Sequence, residues 1–287
     1  MDIFEANSRS SSYTLHPSTV DDVHHVESDG CTFNSWANGD RDFYGRGKKI
    51  DTTKKMTVIT QFITSDGTAN GPLVEVRRLW VQDGVVHQNS NFKYSGLNGN
   101  SLTDKFCNAQ KKLFGEDNTY MDHGGTEAMG HWMDRGMVLS MAIWVDPDEH
   151  MLWLDSYDQN EDPSQPGVEH GPCAPDTGKP SDVTSQQPDA TVTFSNIRIG
   201  DIGSTYNSKQ TDTDKDKGAS KTRAPRSYVI LLFLLLLPHP PRLSGVSPDH
   251  LWSSSPPLSP VELDLLLTRD FSRQVPWPES DLRSPMQ

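Results

Sequence analysis

From residue 50 to about residue 202 the apolar positions recur every second residue, the period of a strand with one buried face. In Lys55-Met56-Thr57-Val58-Ile59-Thr60-Gln61-Phe62, Met56, Val58 and Phe62 fall on one face and Thr57 and Gln61 on the other. Leu73 to Gln88 predicts two strands joined at Asp83-Gly84, a dipeptide that supplies the positive φ values of a tight hairpin turn. Met137 to Val145 predicts an apolar strand ended by Asp146-Pro147, with Met151 to Leu154 following closely. Ala190 to Ile202 alternates again through Val192, Phe194, Ile197 and Ile199. Two segments read as short helices instead: Asp104 to Phe114, and Thr126 to Asp134, where Met129, Trp132 and Met133 are spaced i, i+3, i+4. Many strands separated by Gly/Asp/Asn-rich loops predict an all-β fold, a β-sandwich or jelly roll with short helices in its loops.

Composition divides the chain. Eleven of the 20 prolines fall in the last 63 residues, and only Gly218 and Gly245 of the 21 glycines lie beyond position 203. Residues 205–287 carry ten basic and nine acidic side chains, so of the formal charge of −13 residues 1–204 carry −14 and the tail +1. An acidic surface of that size disfavours a nucleic-acid partner, which needs a basic face, and gives an anionic membrane nothing to attract. The apolar run Tyr228 to Leu237 is about half the roughly 20 residues of a spanning helix, and Pro238, Pro240 and Pro241 close it. No membrane anchor is expected. The Met-Asp-Ile-Phe-Glu opening has neither the basic nor the apolar region of a signal peptide. Residues 205–287 show no strand or helix period and read as a disordered tail, or as sequence foreign to the domain before it.

Candidate chemistry is sparse in the residues themselves. Asp2 and Glu5 stand three apart, which in a regular strand points them to opposite faces; only a bulge or a sharp turn would bring them together. Trp144 and Trp153 each lie close to a carboxylate, Asp146 and Asp155, a combination that suits a sugar ring and equally suits a core. The ten histidines and three cysteines show no zinc spacing, and no Gly-x-Ser-x-Gly elbow is present. Neither a metal nor another cofactor is expected.

At Met1-Asp2-Ile3-Phe4-Glu5-Ala6-Asn7-Ser8 the chain resembles glycoside hydrolase family 7, the fungal endo-β-1,4-glucanases and cellobiohydrolases. The resemblance continues through Leu15-His16-Pro17, Asp29-Gly30-Cys31-Thr32-Phe33-Asn34, Phe43-Tyr44-Gly45 and Asp51-Thr52-Thr53-Lys54. It resumes at Phe106-Cys107, Met151-Leu152-Trp153-Leu154-Asp155-Ser156 and Phe194-Ser195-Asn196-Ile197, and ends at Gly203-Ser204.

The resemblance implies that residues 1–204 are the C-terminal portion of a concanavalin-like jelly-roll catalytic domain that hydrolyses β-1,4-glucosidic bonds by a retaining, two-carboxylate mechanism. In the family motif Glu-x-Asp-x-x-Glu, Asp2 matches the assisting aspartate and Glu5 the acid/base. The nucleophilic Glu would stand just before Met1, so residues 1–287 as they stand are expected to be inactive. Trp144 and Trp153 match tryptophans that stack on glucosyl units, and His16 and Asp29 match polar residues on the leaving-group side. His170 stands where many cellobiohydrolases have an arginine, and the segment from Pro17 to Asp29 is shorter than theirs; both favour endoglucanase-like cleavage. Cys31 and Cys107 are implied to pair, leaving Cys173 without its partner. The implied protein is an extracellular monomer acting on cellulose or another β-1,4-glucan. A non-catalytic β-glucan-binding sandwich and a functionless fragment stay open as alternatives.

Overall fold

The structure, a computed structural model, describes residues 1–18, 28–207, 210–211 and 261–268. Strands β1 (Asp2–Ala6), β2 (Ser11–Leu15) and β3 (Cys31–Asn34) form an antiparallel sheet in that order. A short parallel pair follows, β4 (Tyr44–Gly45) and β5 (Ile50–Asp51). The long strands β6 (Met56–Thr64) and β7 (Leu73–Gln82) pair antiparallel, and Asp83 and Gly84, at φ 53° and 80°, turn β7 directly into β8 (Val85–Gln88) as the dipeptide predicts. Strand β9 (Ser101–Leu102) pairs with β7 and leads into helix α1 (Asp104–Phe114). The hydroxyl of Thr103 accepts from the Phe106 N–H, and left-handed Gly115 ends the helix, so both ends of α1 are capped by local chemistry.

Helices α2 (Thr119–Asp122) and α3 (Gly125–Asp134) complete the helical patch. The chain then makes one turn of helix, α4 (Leu152–Asp155), a short helix α5 (Pro180–Gln186), and strand β10 (Thr193–Gly200). Strands β11 (Gln210–Thr211) and β12 (Val261–Thr268) complete a seven-stranded sheet, which runs β10-β12-β6-β7-β8-β11 with β9 beside β7. The main core lies between the two sheets and the helices: Ile3, Tyr13, Leu15 and Phe33 meet Phe62, Val76 and Leu102, with Phe106, Tyr120 and Met129 beneath. This is an all-β sandwich with short helices in its loops. The other face of β6 is buried too, because Ile59 packs on Leu79 and Val86, so Gln61 is buried where the sequence pattern made it a surface residue.

Three expectations need correction. Met137 to Val145 forms no strand: Val138 is 75% exposed and Ile143 62% exposed, and among the described residues its pairing is limited to an isolated bridge at Val138. Apolar alternation makes a strand only where a neighbour accepts its hydrogen bonds and a layer covers its face. Met151 to Leu154 is also not a strand, because Asp146 Oδ1 accepts from the N–H groups of Asp148 and Glu149 and turns the chain, Met151 takes φ 64°, and α4 follows. In the tail, Val261-Glu262-Leu263-Asp264-Leu265 does alternate, and its backbone fills the slot between β6 and β10. Proline-rich flanks hid that period. Residues 212–260, which include the apolar run Tyr228 to Leu237, and residues 269–287 lie outside the described residues. No helix among the described residues is long and apolar enough to cross a membrane.

Candidate active site

Strand β1 pairs Asp2 with Thr14 and Glu5 with Ser12, so three steps along β1 match two along β2. The extra residue is a β-bulge, and it reverses the parity of the strand between the two acids. Asp2 and Glu5 therefore project to the same side, the arrangement that their odd spacing permits only with such an irregularity.

Their electrostatics diverge. Burial, and then the neighbouring Asp2 charge, push the Glu5 carboxyl up to about 7. Burial acts on Asp2 in the same direction, but the hydrogen bond and charge of His16 overcome it and hold Asp2 below the usual carboxylate range. His16 Nε2 lies 2.6 Å from Asp2 Oδ2. Two carboxyls on one bulge are thus split into an acid that keeps its proton near neutrality and a partner that stays ionised.

His16 follows directly from β2, and the Asp29-Gly30 turn backs it. Gly30 has φ 69°, and a Cβ there would stand 2.7 Å from the Leu15 carbonyl oxygen and 2.9 Å from His16 Cε1. Asp29 itself is exposed and accepts from Ser28 Oγ at 3.3 Å. Gly30→Ala is expected to displace His16 and let the Asp2 carboxyl rise toward its ordinary value, readable by carboxyl-carbon NMR titration. Stability should fall by about 1–2 kcal/mol from the left-handed backbone alone.

Trp144 and Trp153 stack with centroids 6.0 Å apart and planes 24° from parallel. Trp153 is fixed because its Nε1 donates to Asp146 Oδ2 at 3.0 Å, while Trp144 is 53% exposed. Trp144 is therefore not a core residue and presents an open aromatic face. The His170 imidazole is mostly enclosed; burial lowers its pKa, and its Nδ1 has no partner. Its backbone does more: the His170 carbonyl accepts from Ser10 Oγ at 2.6 Å and from Asn34 Nδ2 at 2.9 Å.

Asn34, at the end of β3, was not singled out in the sequence, yet its amide also reaches Ser10 Oγ and the Leu154 carbonyl. It ties β2 and β3 to the segment after Trp153. Asn7 adds a tie from β1, donating to Asp155 Oδ2 at 2.5 Å. Both asparagines lie in segments that carry the family resemblance, but a single asparagine has no distinctive spacing, so its cross-chain tie is not legible there. Cys31 and Cys107 form a disulfide with Cα atoms 5.7 Å apart. Cys173 is a free thiol, pushed up to about 12 by burial and the nearby Asp155 carboxylate, so it is protonated and unreactive at neutral pH. Among the described residues no group of three or more His, Cys, Asp or Glu gathers as a metal site would require.

Known proteins are similar to this chain in sequence and fold. The Glycosyl hydrolase family 7 model matches residues 1–206. A cellobiohydrolase from Daphnia pulex is 40% identical with a TM-score of 0.63, and the match covers 66% of this chain and 47% of that one. An endocellulase of Humicola insolens is 34% identical with a TM-score of 0.55, covering 66% and 46%. A cellobiohydrolase from Melanocarpus albomyces, solved with cellotetraose, is 30% identical with a TM-score of 0.57, again covering 66% and 46%. The chain thus spans slightly less than half the length of these structures. A family match across some 200 residues, together with the jelly-roll sandwich shared with these structures, places this chain in glycosyl hydrolase family 7.

Proposed function

We propose that residues 1–204 supply the acid/base half of a retaining glycosidase site acting on cellulose or another β-1,4-glucan. The observation that carries this reading is the split pair, with Glu5 raised to about 7 beside an Asp2 held ionised by His16. Glu5 donates its proton to the glycosidic oxygen as the bond breaks and afterwards takes one from water. Burial, and then the Asp2 charge, keep Glu5 protonated, and Asp2 orients the nucleophile. Trp144 offers its exposed face to a glucosyl ring, supported by Trp153, with His16 and Asp29 on the leaving-group side. The internal disulfide suits a protein that matures in an oxidising, extracellular setting. The enclosed His170 in place of an arginine supports an open, endoglucanase-like cleft; much of the Pro17–Asp29 segment lies outside the described residues.

By the family motif, residues 1–287 contain the acid/base and its helper but not the nucleophile. A polypeptide of this sequence is therefore expected to bind cello-oligosaccharides, seen as a change in tryptophan fluorescence that weakens about tenfold in Trp144→Ala. It should release no reducing sugar from carboxymethyl-cellulose. Turnover that Glu5→Gln abolishes would overturn the assignment of the nucleophile, and failure to bind oligosaccharide would remove the glucan cleft.

A further inference from the structure

Arg78 lies on the central strand β7 and is 1% exposed. No carboxylate pairs with it among the described residues. Its guanidinium instead sits 4.5 Å from the centroid of Tyr13 and 5.6 Å from those of Phe4 and Trp80, and its Nε has no partner. Burying a cation without a counterion is costly, and nothing in the packing of an apolar core calls for one. The hydrogen bond its side chain makes explains its position. Arg78 Nη2 donates to the carbonyl of Ile3, which lies inside the bulge between Asp2 and Glu5. The extra residue of a bulge falls out of the ladder, so a buried carbonyl there needs a donor from elsewhere.

We infer that Arg78 is a positioning residue for the carboxylate pair: by holding the Ile3 carbonyl it fixes the bulge that turns Asp2 and Glu5 to the same side. Without that donor β1 can relax toward regular pairing. A one-residue slip would send Asp2 to the opposite face from Glu5. Tyr13, Phe4 and Trp80 form the aromatic cage that holds the guanidinium at the height of Ile3. Lysine, which lacks the planar fork, would fill this cage poorly.

The inference rests on reading Asp2 and Glu5 as a coupled pair, and two measurements separate the two ideas. Glu5 is titrated by carboxyl-carbon NMR in the full chain. Asp2→Asn tests the pair: a fall in the Glu5 pKa supports coupling, and no change defeats that reading. Arg78→Met tests the positioning and is expected to lower the Glu5 pKa by at least one unit, with a smaller fall in Arg78→Lys. The sign is diagnostic, because loss of a nearby cation by Coulomb's law alone would raise a carboxyl pKa. If Arg78→Met does not fold, Arg78→Lys decides. A folded variant with a lower melting temperature and an unchanged Glu5 titration would make Arg78 merely structural and overturn the inference.

Discussion

Replacing Cys31 and Cys107 together by alanine is expected to lower the unfolding free energy by about 4 kcal/mol, the largest single loss anticipated for this chain. The bridge joins residues 76 apart in sequence, and opening a loop of that length returns much conformational freedom to the unfolded chain. Both cysteines are fully buried in the main core, so the double variant also loses packing between β3 and α1. On that junction Phe33 stacks on Phe106 with centroids 5.5 Å apart, and Tyr13 stacks on Phe33 in turn. The bridge therefore supports β2, which delivers His16 to Asp2. Urea unfolding followed by tryptophan fluorescence measures the loss, with the parent chain plus reductant as a second route to the same state. A decrease below about 1 kcal/mol would mean that the unfolded chain keeps this region together without the bond. A domain of typical stability, about 5–15 kcal/mol, survives the loss only if the rest of the core is sound.

The strands that were legible in the sequence are those whose partners lie close by. β6, β7 and β8 are consecutive and hairpin-linked, so an apolar alternation and an Asp-Gly turn specify both the strands and their pairing. α1 was legible to the residue because its caps, Thr103 and Gly115, are local. Met137 to Val145 misled because its alternation describes the strand and not its neighbour, and no described strand pairs along it. β12 was missed for the complementary reason: its five-residue alternation is short, and its partners β6 and β10 lie far back in the chain. The same division holds at the site. Asp2 and Glu5 were visible as a pair, but their convergence depends on a bulge that no local rule requires. Arg78 and Asn34 act on backbone carbonyls, and a carbonyl has no residue identity for a sequence pattern to record.

Glu5→Gln is expected to make the protein more stable above pH 7 and to leave it unchanged near pH 4. The folded chain holds the Glu5 proton up to about 7, whereas the unfolded chain releases it near 4.5. Between those values the folded state binds more protons, so its stability falls as pH rises and levels off once Glu5 is ionised in both states. The interval corresponds to about 3 kcal/mol if fully realised, and partial solvent access reduces this to about 2 kcal/mol. Glutamine keeps the shape and removes the titration, so the variant's stability curve should diverge upward from that of the parent across this window. Asp2 acts with the opposite sign: its lowered carboxyl adds stability that is present above the unfolded value of 3.8 and is lost as the medium becomes more acid. The parent is thus expected to be most stable in mildly acid solution, where Asp2 is ionised and Glu5 still protonated, the charge state that protonating a glycosidic oxygen requires. Parallel unfolding curves for parent and variant across pH 4–8 would show that Glu5 titrates as an ordinary surface carboxylate. Glu5 would then have no claim to the role of acid.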